Sequence, residues 1–202
     1  ARKKISEGCF EEAIVDLNNL LSKLSNSSLI IKIWWEPMLV YWLSLAHAHN
    51  GNLNEAIKGM ESLRKGPKAE EANAQLAFCH IKDNKLDVAK DIVDLYRSTY
   101  PSLLYAKALL SYKLNDIKSA EKVITDYIYQ YGKVNKHYYH AFIRLSALIK
   151  ETQGHTDTAL ENLTPLNNQE SFTDICAAIR TSRIIVRTAY SNCLNSGKFT
   201  IE

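Results

Sequence analysis

The sequence contains little glycine and proline, with 7 and 4 residues respectively among 202. Strand-type alternation of apolar and polar residues is also rare, whereas apolar spacings of three and four residues occur throughout. These absences exclude most β-rich folds and predict an all-α protein. The most apolar stretch (28–48) contains Lys32, Glu36 and Pro37. We therefore expect no uninterrupted run of the roughly 18 apolar residues that a membrane-spanning helix needs, and no membrane insertion.

The sequence also contains few cysteines and carries a small net charge. The four cysteines, Cys9, Cys79, Cys176 and Cys193, show no CxxC spacing, and the formal net charge is only +3. Scattered cysteines predict free thiols in a reducing compartment, and hence a cytoplasmic protein. A mild net charge gives no strong reason to expect nucleic acid or a membrane surface as a partner.

Five alanines share the same surroundings along the chain. Apolar residues occupy most of the positions three before, four after and seven after each one, which places them on one face of a helix. Successive alanines are 43, 33, 31 and 39 residues apart, an average period typical of a helical repeat protein. The five are Ala13, Ala56, Ala89, Ala120 and Ala159.

A glycine or an asparagine lies five residues before each alanine. These residues enter the left-handed conformation most readily, and that conformation commonly ends a helix. Each copy therefore reads as a first helix, a left-handed stop and a second helix, with Asn52 and Asp116 placed to cap two of the second helices. The predicted stops are Gly8, Gly51, Asn84, Asn115 and Gly154.

Small residues lie twelve positions before four of the alanines, where they would let the paired helices approach closely. This arrangement resembles the tetratricopeptide repeat family, whose unit is an antiparallel helix pair of about 34 residues. The resemblance covers nearly the whole chain, although the family's closing proline is matched only at Pro101, and Lys107 and Ser146 replace its usual leucine. The small residues are Ser44, Ala77, Ala108 and Ala147.

The resemblance implies a right-handed solenoid of antiparallel helix pairs. We expect a single domain over 1–202 that forms part of a longer array. The expected repeats are approximately 1–30, 36–66, 69–100, 101–131, 138–168 and 172–202. A pentatricopeptide-like array, which has a similar repeat length, is the alternative.

Motifs for chemistry are lacking. We find no phosphate-binding loop, and no serine or cysteine in a recognisable nucleophile context. His137 and His140 could share a helix face, but no cysteine or acidic ligand lies nearby at a set spacing. The sequence therefore predicts a non-enzymatic protein without a metal or cofactor.

The family resemblance implies that partners bind the concave face lined by the first helices. We therefore predict an interaction scaffold, a subunit of a hetero-oligomeric assembly, that holds a helix or an extended peptide in an apolar groove. Filling of the groove by the same chain is one alternative, and RNA binding by a pentatricopeptide-like array is another. Arg180, Arg183 and Arg187 form a basic stripe that is expected to be a solvated face, with acidic side chains, phosphate or RNA as alternative contacts. Trp34 and Trp35 are expected to dock on the solenoid, with a partner as the alternative. The predicted groove residues are Tyr41, Leu45, Phe78, Ile81, Tyr105, Leu109, Tyr112, Arg144 and Arg187.

Overall fold

The structure, a computed structural model, describes residues 1–95, 100–131, 136–166 and 184–186. In these ranges the regular structure is entirely helical, without a β-strand, as the sequence predicts. The chain divides into two compact units, Ala1–Gln130 and Tyr131–Glu202. The helices are α1 (Arg2–Ser6), α2 (Phe10–Leu24), α3 (Leu29–His49), α4 (Leu53–Ser62), α5 (Ala69–Lys82), α6 (Leu86–Leu95), α7 (Pro101–Lys113), α8 (Ile117–Tyr131), α9 (Lys136–Thr152) and α10 (Thr156–Leu163), followed by a 3-10 turn (Thr164–Leu166).

Five tight turns with left-handed backbone join the helices in pairs. The φ angles at the five predicted stops are 83° (Gly8), 88° (Gly51), 59° (Asn84), 61° (Asn115) and 82° (Gly154), and no other described residue has a positive φ. The prediction of left-handed stops is therefore confirmed at all five positions. Each turn lies between an odd-numbered helix and the even-numbered helix that follows it.

Hydrogen bonds explain why these turns end the helices. At the end of α5, the Asn84 N–H donates to the Ile81 carbonyl at 3.2 Å, and the Lys85 N–H donates to the His80 carbonyl at 2.8 Å. These two bonds form a Schellman motif, which satisfies carbonyls that the helix end would otherwise leave unpaired. The same pair of bonds follows α1, α7 and α9.

The two predicted caps differ. Asp116 Oδ1 accepts a hydrogen bond from the Ser119 N–H at 3.1 Å, so this cap is confirmed. Hydrogen bonds from Ser119 lower the pKa of the Asp116 carboxyl. Asn52 also precedes its helix, but its side chain makes no capping bond, so that prediction is wrong.

Small residues lie where the paired helices touch. All five predicted alanines of the second helices are fully buried, as are Ala77, Ala108 and Ala147 on the first helices. Ser44 is also buried, and its hydroxyl donates to the Val40 carbonyl within α3. The sequence pattern therefore identified the residues at the close approaches correctly.

The first unit has a core shared between consecutive helices. The larger cluster combines Met60 and Leu63 with residues of α5, α6 and α7, including Leu76, Val93 and Leu110. Helix α5 packs against α3, α4, α6 and α7, so it is surrounded by neighbours. A smaller cluster joins α1, α2 and α3.

The second unit has its own apolar cluster. Ala147 of α9 packs with Ala159 and Leu163 of α10, and Leu166 and Ile184 complete the cluster. Helix α9 lies against α10 in the same way that α3 lies against α4. A local core of this kind stabilises the α9–α10 pair.

One close approach was not predicted. Gly59 of α4 lies so close to Ser44 of α3 that a Cβ atom at residue 59 would overlap Ser44 Oγ and lie 3.2 Å from Ser44 Cβ. Glycine inside a helix usually costs stability relative to alanine. Here the missing side chain is what allows α3 and α4 to meet.

Helix α3 departs from expectation in its first half. The helix continues through Lys32, Glu36 and Pro37, although these three residues interrupt its apolar sequence. By length and composition alone, α3 could cross a membrane, and it is the one such helix among the described residues. Trp34 and Trp35 are 77% and 52% exposed, so they do not dock on the described part of the chain, contrary to expectation.

We predict that Gly51→Ala destabilises the protein by about 1–2 kcal/mol, because an L-residue is strained in the left-handed region. Urea unfolding followed by circular dichroism measures the change. Gly66→Ala is the matched control, since it adds the same methyl group in open space at a residue without positive φ. Equal stabilities of the two variants would contradict the role of the left-handed turn.

We further predict that Gly59→Ala destabilises the protein by about 1–3 kcal/mol, as overpacking of a helix contact typically does. The same substitution at a solvent-exposed helix position would be stabilising. Ser44→Gly in the Gly59→Ala background should restore part of the loss, because it removes both atoms that the new methyl group meets. Additive free energies of unfolding in this double-mutant cycle would refute the contact.

Candidate protein-binding face

Three first helices of the first unit bring most of the predicted groove residues together. Helix α5 packs against both α3 and α7, so these helices form a row with α5 in the centre. Six predicted residues on them are half-buried, which means that each is partly exposed to solvent. We call them the aromatic face; they are Tyr41, Leu45, Phe78, Tyr105, Leu109 and Tyr112.

One ring contact joins two helices across this face, and a second lies within α3. The rings of Phe78 on α5 and Tyr105 on α7 have centroids 5.6 Å apart and are tilted by 58°. On α3, the rings of Tyr41 and Trp42 meet edge to face at 5.5 Å. Tilted and edge-on contacts are favourable arrangements for aromatic rings. They hold neighbouring side chains in fixed positions.

The core holds the face from below. Tyr41, Leu45, Phe78 and Leu109 each pack against the larger core cluster while leaving part of their surface exposed. Side chains fixed in this way lose little additional conformational entropy when a partner binds. The aromatic face is therefore pre-organised.

Two lysines lie beside the face. Lys68 Nζ is 5.8 Å from the centroid of the Tyr41 ring and 2.7 Å from Glu71 Oε1. Lys82 Nζ, at the end of α5, donates to the Ala48 carbonyl of α3 at 3.0 Å. The second bond ties α5 to the last turn of α3, where a cation complements the negative end of the helix dipole.

Three predicted groove residues are not part of this face. Ile81 is 5% exposed and belongs to the core, because α5 is covered by neighbours on most of its surface. Arg144 is half-buried on α9, in the second unit. Arg187, like Arg180 and Arg183 of the predicted basic stripe, lies outside the described residues.

Reactive groups are scattered in the described part of the chain. There, no group of three or more histidine, cysteine or acidic side chains is placed to hold a metal ion. Cys9 and Cys79 are both free thiols. Burial raises the pKa of Cys79 to about 11, so this thiol remains protonated and unreactive at neutral pH.

Two histidines are kept neutral near the ends of first helices. His49 is exposed overall, but its ring stacks on Phe10 at 5.2 Å; partial desolvation of this kind lowers its pKa, and nearby Lys82 lowers it further. Burial also lowers the pKa of His80, and its buried Nδ1 has no hydrogen-bond partner among the described residues. Neither imidazole is arranged as a catalytic base with an orienting group.

Comparison with known proteins finds no family model, no curated protein and no solved structure that matches the chain.

We predict that the free energy of unfolding falls as the pH drops below about 6.5. The folded state lowers the pKa values of His49 and His80 from 6.5, so the unfolded state binds protons more readily in this range. The full contribution is present above pH 6.5 and is lost as the pH falls toward the folded-state pKa values.

Urea unfolding at pH 7.5, 6.5 and 5.5 tests this expectation. His80→Gln should reduce the pH dependence, because it removes one of the two imidazoles whose pKa the folded state lowers. Identical pH profiles for the parent and His80→Gln would show that His80 does not contribute.

Proposed function

We propose that the protein is a non-enzymatic interaction scaffold that binds an apolar helix or extended peptide on the aromatic face. The observation that carries this proposal is the row α3–α5–α7, in which three adjacent helices present half-buried apolar side chains held by one core. A contiguous apolar surface on a folded protein often marks a binding site.

The chemistry of the face favours a peptide partner. Tyrosine and phenylalanine supply large contact areas with few rotatable bonds, and aromatic residues dominate the binding energy of many interfaces. Phe78 lies on the central helix and contacts Tyr105 of α7, so this pair would form the centre of the contact. The tyrosine hydroxyls could also bond to backbone groups of a bound peptide.

We also propose that the helix pairs form a right-handed solenoid of tetratricopeptide type. The five equivalent left-handed turns and the buried alanines five residues after them support this proposal. So does the packing of α5 against both α6 and α7, since a stacked repeat contacts its partner helix and the following repeat. In such an array the protein would act as one subunit of a larger assembly.

The first experiment selects binders from displayed libraries of helical and of extended peptides, using the 202-residue chain as bait. We predict that Phe78→Glu/Tyr112→Glu lowers the affinity of the protein for the selected peptides at least tenfold, because two charges would be buried under an apolar ligand. Isothermal titration calorimetry measures the affinity. Tyr112→Ala, which leaves the core contacts of Phe78 intact, should weaken binding in the same direction.

Val88→Glu/Tyr129→Glu is the matched control. It adds the same two charges at exposed residues of α6 and α8, and should leave both affinity and helicity unchanged. Peptides that bind the Phe78→Glu/Tyr112→Glu and control variants equally well, with both variants folded by circular dichroism, would refute the assignment of the aromatic face.

A further inference from the structure

The first two turns of α3 are apolar on the outside. Trp34 is 77% exposed, Leu29 is 72% exposed and Ile30 is 71% exposed, while the charged Lys32 is half-buried. Ordinary surface helices show the opposite pattern, with charges in water and apolar residues inside. We call the exposed set the apolar tip; it consists of Leu29, Ile30, Ile31, Ile33, Trp34 and Trp35.

The apolar tip is too wide for a simple groove. At 3.6 residues per turn, its six side chains cover an arc of about 240° around the helix axis. A helix that docks in a protein groove buries a stripe of only about 100° or slightly more. The occupant of this surface must therefore surround the helix on several sides.

The apolar tip also exposes more apolar area than a folded protein usually leaves in water. The largest apolar patch of a typical soluble monomer is about 300–600 Å². Six large side chains, each with roughly half or more of its surface in water, reach this range within two turns of one helix. Water alone is an unfavourable environment for such a surface.

Charge around the tip points to an anionic surface. From Leu17 to Trp35 the sequence contains no aspartate or glutamate, and its two charged residues are Lys23 and Lys32; the next residue of α3 is the exposed Glu36. Lys23 is exposed in the last turn of α2. The turn between α2 and α3 consists of serine and asparagine, which are compatible with lipid headgroups.

The second half of α3 limits how deep the helix can enter a bilayer. Ser44 and Ala46 are buried in contacts of α3 with its neighbours, and a full span would remove them from that packing. Pro37 lies between the exposed half and the packed half. The exposed residues 29–35 extend over about 10 Å at 1.5 Å per residue, far less than the roughly 30 Å of a bilayer's hydrocarbon core.

We propose that the apolar tip inserts into the headgroup region of an anionic lipid bilayer and attaches the protein to a membrane surface without crossing it. Trp34 and Trp35 would lie at the boundary between headgroups and acyl chains, where tryptophan is favoured. Lys23 and Lys32 would reach the lipid phosphates, with the aliphatic part of each side chain in the apolar layer. This role uses different residues from the aromatic face and is independent of the proposed function.

A second copy of the chain fits the tip less well. Pairing of two helices would cover only part of the 240° arc, at about 100° per helix. Lipid surrounds an inserted helix on all apolar sides and supplies the opposite charge.

Vesicle flotation tests the proposal directly. The 202-residue chain is mixed with vesicles of phosphatidylcholine alone, or of phosphatidylcholine with phosphatidylserine, at low and high salt. We expect binding to both, with a preference on the order of tenfold for the anionic vesicles at low salt, because each lysine near such a surface contributes roughly fivefold. Brominated lipids should quench the tryptophan fluorescence of the bound protein.

Two variants separate the apolar and the charged contributions. Ile30→Ser/Trp34→Ser should reduce the partition coefficient at least tenfold on both kinds of vesicle, because it removes two large inserted side chains. Lys23→Glu/Lys32→Glu should abolish the preference for anionic vesicles. Val15→Ser/Tyr129→Ser, which removes two exposed apolar side chains elsewhere, should bind like the parent.

Several results would overturn the proposal. One is the absence of binding to either vesicle at millimolar lipid, and another is unchanged binding of Ile30→Ser/Trp34→Ser. A third is concentration-dependent self-association, without vesicle binding, that the same variant abolishes; a second copy would then be the occupant. Circular dichroism of each variant confirms that α-helical content is retained, so that unfolding cannot mimic any of these outcomes.

Discussion

The left-handed residue at the end of each first helix is the constraint on which the rest of the structure depends. It turns the chain back within a few residues and satisfies the carbonyls of the helix it ends. Because the turn is so short, the register of the two helices is fixed from the start. An alanine five residues further on then lies against the first helix, where a larger side chain would separate the pair.

Local features of this kind could be predicted from the sequence, and contacts among several helices could not. The stops and buried alanines depend on conformational preference and spacing within one helix pair. Ile81 shows the limit: its spacing matches that of Phe78, yet it is buried because α5 is flanked by four helices. Gly59 shows a second limit, because the need for glycine there comes from contact with Ser44, fifteen residues earlier on a different helix. Trp34 and Trp35 were expected to dock, and no helix of the described chain covers them.

The two apolar surfaces of the first unit differ in how they are supported. Four side chains of the aromatic face rest on a core, and Phe78 touches Tyr105, so a partner would meet a firm surface. The apolar tip has neither support: its residues belong to no core cluster of the described chain and stand in solvent. A firm surface suits a ligand of defined shape, whereas an unsupported one suits a fluid environment that adapts to it. The aromatic face therefore suits a peptide of defined shape, and the apolar tip suits a fluid lipid layer.

Pro37 has a consequence for the folding of α3. Proline has no amide hydrogen, so the carbonyl of Ile33 lacks its usual partner one turn later. The helix is thus weakest at the border between its exposed half and its packed half. The residues of the first two turns belong to no core cluster of the described chain, whereas Ser44 and Ala46 are buried in the packed half. Such a helix can fold in two steps, the packed half with the core of the protein and the exposed half when its surroundings permit.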